Sequence, residues 1–163
     1  MNLLLQYFKQ FNRLSAEAED AITQISSVIT LKKNTLLQPI GHTCKTIYFI
    51  NKGIARIYYL KDGIEITESF AFENNIIARV ESLFTGKASQ KAIQILEDAE
   101  LVAINSVQLF QLYDQFPDIE RLFRKIFEAA YVDTVNRIES IQFHTAEERY
   151  NALLREAPGI IQR

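Results

Sequence analysis

From Thr46 to Phe72 the chain reads TIYFI, then NKG, then IARIYYL, then KDG, then IEITESFAF. These are three β-prone runs separated by tight glycine-containing turns, and no helical periodicity survives that spacing. Alternation is explicit where Ile64 and Ile66 face one way and Glu65 and Thr67 the other. Further strands surround the run. ITLKKNTLLQP is strand-like on both sides of a Lys33-Asn34 turn, and KAIQIL pairs with AELVAI through Glu97-Asp98. Short strands with turns at this regular spacing predict an antiparallel β-roll, jelly roll or barrel.

Helices flank the strands. Asn2 to Asn12 groups Leu4, Leu5, Phe8 and Phe11 on one side, and Ser15 is placed to cap a second helix with Ala18, Ala21, Ile22 and Ile25 on its buried stripe. After Asn105 the period is helical again. Ser106 is expected to cap a short helix through Tyr113, and Asp118 to open a long helix reaching about Gln142. At 1.5 Å per residue that helix spans roughly 38 Å, more than is needed to cover one side of a small roll. Its apolar positions, from Ile119 to Ile141, form more than one narrow stripe. One face can pack on the roll, and the rest is expected to meet the same helix of a second subunit. Ile126, Ala130, Thr134 and Ile138 are the candidate seam. Thr145 with Glu148 forms a capping box ahead of AEERYNALLREA, a last helix ended by Pro158-Gly159. The expected divisions are 1–116 for the roll, 117–143 for the dimerisation helix and 144–163 for the final helix.

Little in the chain points to catalysis. His42 and His144 are the only histidines, far apart and without carboxylates at metal-ligand spacing, and Cys44 is the only cysteine. A disulfide, a cysteine-ligated zinc site and a four-cysteine cluster are therefore excluded within the chain, and a metal-dependent cupin cannot be assembled from its histidines. No GxSxG, P-loop or GxGxxG occurs. Glu147 and Glu148 sit at a helix start, where they serve the dipole. No metal site, no catalytic residue and no enzymatic activity are expected. Lys and Arg total 18 against 20 Asp and Glu, a formal charge of -2 that argues against an autonomous nucleic-acid binder. No apolar run approaches ~18 residues, and the start MNLLLQYFKQF lacks a basic n-region and small-residue cleavage site, so a cytoplasmic protein is expected.

One stretch interrupts the strands. ENNIIARVESLFTGKASQKA, Glu73 to Ala92, carries a short helix signal followed by Thr85-Gly86 and the small polar Ala88-Ser89-Gln90. Backbone amides beside such a loop are suited to an anion such as a phosphate.

Taken in order, the leading helices, the roll YFINKGIARIYYLKDGIEITESFAF, the inserted helix-loop, LEDAELVAI and the long helix after Phe116-Pro117 resemble the Crp/Fnr superfamily of transcription regulators. They match its cyclic-nucleotide-binding-type sensor domain, over Met1 to about Gln142. ESLFTGKAS followed by ILEDAEL resembles a subgroup common in Bacteroidetes. The resemblance implies an eight-stranded β-roll (a double-stranded β-helix), a homodimer joined through the long helix, and a small-molecule effector, either a cyclic nucleotide or another small anion. The pocket-lining candidates carried over are Ala78, Arg79, Val80, Glu81, Ser89, Gln90 and Lys91.

Two departures qualify that implication. The family's cassette typically has a Gly-Glu pair, whose Glu accepts from the ribose hydroxyl, and an Arg about ten residues on that pairs with the cyclic phosphate. Aligned on the inserted helix, these positions hold Ala78, Arg79 and Ser89. Arg79 cannot accept from a hydroxyl, and Ser89 brings no charge to a phosphate. Losing a charge-assisted contact of roughly 1.5–3 kcal/mol weakens affinity by one to two orders of magnitude. The sequence leaves open a different effector using Arg79 and Lys91, and a ligand-free dimerisation module with a vestigial pocket. The second departure is at the end. The family's segment like FHTAEERYNALLREAPGIIQR leads into a winged helix-turn-helix, and this sequence ends at Arg163 before one. From Pro117 onward seven basic residues face eight acidic ones, so DNA contact is expected only if such a unit follows Arg163.

Overall fold

The computed structural model describes residues 1–160. Ile161, Gln162 and Arg163, the end of the expected 144–163 division, lie outside the described residues. Helices α1 (Asn2–Phe11) and α2 (Ala16–Gln24) precede strands β1 (Ser26–Leu31), β2 (Leu36–Gln38), β3 (Thr46–Lys52), β4 (Ala55–Lys61), β5 (Ile64–Ala71) and β6 (Ile76–Ile77). A short helix α3 (Val80–Thr85) then interrupts the strands before β7 (Ala92–Ile95) and β8 (Ala99–Asn105). Helices α4 (Ser106–Leu112), α5 (Pro117–Phe143) and α6 (Ala146–Glu156) follow. The eight strands form two four-stranded antiparallel sheets, ordered β1-β8-β3-β6 and β2-β7-β4-β5. The expected roll is present.

Strands β3 and β8 explain why TIYFI and LVAI are almost continuously apolar. Leu101 and Ile50 face between the sheets with Ala55, Ile93 and Ile95. Ile47, Phe49, Val102 and Ile104 face the helices, where Leu4, Phe8, Ile22, Leu109, Leu122 and Phe123 cover them. A strand buried on both faces has no polar side. Each fully buried Phe or Ile of this layer contributes roughly 1.5–3 kcal/mol. By contrast β4 and β5 run out beyond the core, and Leu60, Ile64 and Ile66 are exposed at their tip. The two strands meet at Asp62-Gly63, both with positive φ, the signature of a two-residue hairpin turn.

Helix boundaries follow local chemistry. Ser15 Oγ accepts from Ala18 N at 3.2 Å, capping α2 as its sequence predicts. For α4 the cap is Asn105, one residue before the expected Ser106, because Asn105 Oδ1 reaches Gln108 N at 3.0 Å. Pro117 is the first residue of α5, where its missing N–H leaves no hydrogen bond unmade. The capping box of α6 is complete: Glu148 N donates to Thr145 Oγ1 at 3.2 Å, and Thr145 N donates to Glu148 Oε2 at 2.7 Å.

Helix α5 buries side chains only near its base. Its buried residues are Ile119, Leu122, Phe123 and Ile126. Phe123 meets Phe8 of α1 edge-on, with ring centroids 5.5 Å apart. The seam between α1 and α5 is also polar at its rim, where Lys125 Nζ donates to Phe11 O at 2.9 Å and Ser15 N to Asp118 Oδ2 at 2.8 Å. Ile126, a candidate for an intersubunit seam, is instead 5% exposed and packed in the core of its own chain. At that level the helix still lies against the roll. Further along, Tyr131, Val132, Ile138, Ile141 and Phe143 are exposed.

Candidate ligand site

The inserted segment leaves β6 at Ile77, turns through Ala78 and Arg79 into α3, and returns to β7 through Gly86, which ends the helix in the left-handed conformation (φ +68). Two buried serines hold it in place. Ser82, fully buried, accepts from Cys44 N at 2.9 Å and donates to Lys87 O at 2.5 Å. Ser89, also fully buried, is fixed to the turn before β3: its N donates to His42 O at 3.0 Å, and its O accepts from Gly41 N at 2.8 Å. Gln38 Nε2 donates to the same His42 carbonyl at 2.7 Å. The helix-loop therefore rests on the residue 38–44 turn.

Around the Ser89 hydroxyl, three of the sequence candidates converge. Arg79 Nε donates to Ser89 Oγ at 3.3 Å, and Lys91 N donates to it at 3.1 Å. Ser89 Oγ donates to Lys91 O at 2.9 Å. The hydroxyl thus uses both its donor and its acceptor capacity inside the protein. The Lys91 ammonium forms an ion pair with Glu68 on β5 and lies 5.9 Å from the Tyr59 ring centroid. Glu68 in turn accepts from Arg137 of α5 at 2.6 Å. Burial alone would raise the Glu68 pKa. The hydrogen bonds and charges of Lys91 and Arg137 outweigh it and hold the carboxyl below its ordinary value. The other candidates lie elsewhere. Glu81 and Gln90 are exposed, whereas Ala78 and Val80 line a different space, a cavity of about 300 Å³ between the roll and α5.

Sequence reasoning did not find Ser82, Glu68 or Asp133, and it gave Ile126 and Ala130, which line this cavity, to the intersubunit seam instead. A Glu continuing the Ile64 and Ile66 side of β5 was the available signal for Glu68. Its partners lie 23 and 69 positions away, and no local pattern joins them. Among the described residues, no group of three or more His, Cys, Asp or Glu side chains is placed to hold a metal ion, and no helix is long and apolar enough to cross a membrane.

Two antiparallel sheets closed into a roll, with a helix-loop inserted before β7 and a long helix starting against one side, define a helix-flanked β-roll domain. The cyclic nucleotide-binding domain family matches residues 28–116, and the chain belongs to that family. Among solved structures, it is similar to a protein described as a transcriptional regulator of the Crp/Fnr family from Eubacterium rectale. That likeness has TM-score 0.75 and 20% identity, covering 96% of this chain and 74% of that one. It is also similar to the c-di-GMP-responsive global regulator CLP of Xanthomonas campestris (TM-score 0.67, 17% identity, covering 87% and 72%). The sensor domain of the transcriptional regulator DNR from Pseudomonas aeruginosa is a third likeness (TM-score 0.66, 17% identity, covering 88% and 94%). No curated protein matches the sequence. At these identities the likenesses establish the fold, and the roll has structural neighbours among Crp/Fnr regulators.

Proposed function

We propose that the chain is the effector-sensing and dimerisation part of a cytoplasmic, non-enzymatic Crp/Fnr-type regulator, and that its effector is not classical cyclic AMP. The observation that carries this reading is the Arg79–Ser89 hydrogen bond. The position expected to accept from a ribose hydroxyl holds a cation, and the position expected to neutralise a cyclic phosphate holds a buried hydroxyl already used by Arg79 and Lys91. An anion drawn to Lys91 would have to displace Glu68. The ESLFTGKAS and ILEDAEL segments support a place in the Bacteroidetes-type subgroup.

Within this reading residues 1–116 sense, 117–143 dimerise, and 144–163 lead toward the DNA reader. The exposed half of α5 supports a homodimer. Ala130, Thr134 and Ile138 recur at four-residue intervals on one exposed face, with Ile138 half exposed. Effector binding would bias two arrangements of the paired helices, and a winged helix-turn-helix following Arg163 would move with them.

Calorimetric titration of the purified chain with cyclic AMP and cyclic GMP tests the effector reading. No heat is expected, and micromolar binding overturns it. Sedimentation at micromolar concentration tests the dimer: a dimer is expected for the natural chain and a monomer for Ile138→Asp. A natural chain that sediments only as a monomer removes the paired-helix reading. A ligand-free dimerisation module is the competing function, favoured by the self-satisfied Ser89, and in that case Arg79→Ala is silent in every ligand assay.

A further inference from the structure

The cavity of about 300 Å³ lies between α1, β5, β6 and α5. Its walls are apolar: Phe11, Ile57, Ala71, Ile77, Ala78 and Phe127 are among them. Arg79, Ser89 and Lys91 are not among the residues lining it, and neither is any other Lys, Arg or His. Its charge is of the opposite sign. Asp133 of α5 lines it while remaining solvent-exposed, so the carboxylate sits at the mouth, and the half-buried Tyr7 lies within its field. The Tyr7 phenol is pushed up in pKa by burial and by the nearby Asp133 carboxylate. Asn75 and Ser69 are the remaining polar side chains of the lining. An apolar pocket with few polar groups is the usual form of a small-molecule site, and its polar groups select the ligand.

We propose that this cavity binds a small ring-bearing apolar molecule that carries an amine, its ring between the roll and α5 and its ammonium against the Asp133 carboxylate. This rests on the reading of the roll as a small-molecule sensor and gives its ligand the opposite charge to a cyclic nucleotide. A ligand there touches Ala78 at the head of the inserted segment and Ala130 on α5 together, and so couples the insertion to the long helix.

The test is a set of parallel 1H–15N NMR titrations of the full chain with 2-phenylethylamine, 2-phenylethanol and 3-phenylpropionate, which share a ring and differ in charge. The amine is expected to shift the Tyr7, Ala78, Ala130 and Asp133 amides and to bind about fivefold more tightly than the alcohol, with the propionate leaving those amides in place. In Asp133→Asn the amine should bind no better than the alcohol. Equal binding of amine and propionate overturns the proposal. So does an amine that moves none of these four amides, or a preference that survives Asp133→Asn. A fourth titration with cyclic AMP reports on Arg79 to Lys91 instead. Shifts there would refute the reading of the effector while the cavity result stands on its own residues.

Discussion

Arg137, on the exposed half of α5, donates to the carboxylate of Glu68, on β5, at 2.6 Å. The same carboxylate is paired with Lys91, two residues beyond the Ser89 hydroxyl. One side chain, 12% exposed, therefore joins the roll, the end of the inserted segment and the long helix. Glu68→Gln removes the charge that both cations share. Lys91 and Arg137 are about one-third and two-fifths exposed and regain water, so the expected loss is about 1–2 kcal/mol, read from denaturant unfolding.

The same carboxylate sets a pH dependence. Its pKa in the folded chain lies below the ordinary 4.5. Its contribution is complete above that value and disappears as pH falls through the lower, folded one. Unfolding curves of the natural chain should therefore lose stability on acidification below 4.5 more steeply than those of Glu68→Gln. Parallel slopes would mean that Glu68 is not held by its two cations in solution.

Ser89→Ala leaves Arg79 Nε and Lys91 N without their shared acceptor in a buried place. A cost of about 1–3 kcal/mol is expected, with faster amide exchange from Arg79 to Lys91. Ser89→Thr keeps the hydroxyl and separates its loss from any change in packing.

Gly53 joins β3 to β4 at φ +100, and a Cβ built there lies 2.7 Å from Ala99 Cβ. Both the backbone conformation and the space exclude a side chain. Gly53→Ala is expected to cost at least about 2 kcal/mol, seen as a lowered Tm. Gly63 has a similar φ but nothing within 4 Å of its built Cβ, so Gly63→Ala should cost less.

Thr145→Ala removes the hydroxyl of the α6 cap. The expected cost is about 1 kcal/mol, but it should be local, because α6 has no buried residue. Hydrogen exchange of the α6 amides should quicken while the global unfolding midpoint hardly moves.

What could be read from the sequence follows the range of the interaction that decides it. Asp62-Gly63 and the Thr145/Glu148 box act over a few residues, and each marked its turn or helix end, whereas α5 begins at Pro117, one residue before the expected Asp118. The shift from Ser106 to Asn105 as the α4 cap shows the limit of that range, since both residues suit the role and only the backbone path chooses. β3 and β8 were visible as strands and the flanking segments as helices, but not that those helices cover these two strands in particular. Only the family resemblance put Arg79 and Ser89 in one cassette, and a hydrogen bond of 3.3 Å joins them. Glu68 and Asp133 depend on partners across the fold. Ile126 looks like its neighbours on the helix face, and only the position of the roll assigns it to the core of its own chain.

Helix α5 has 27 residues, and its buried side chains all fall between Ile119 and Ile126. The remaining 17 residues to Phe143 extend about 25 Å past that foothold. Such a rod is a lever with its fulcrum beside the cavity, held further along by the single Arg137–Glu68 tether. A tilt of about 10° at the base carries the far end by roughly 4 Å, close to the 5.4 Å of a full helical turn. A displacement too slight to notice among Phe8, Phe123 and Ile126 becomes, at the far end, a change on the scale of whole side chains.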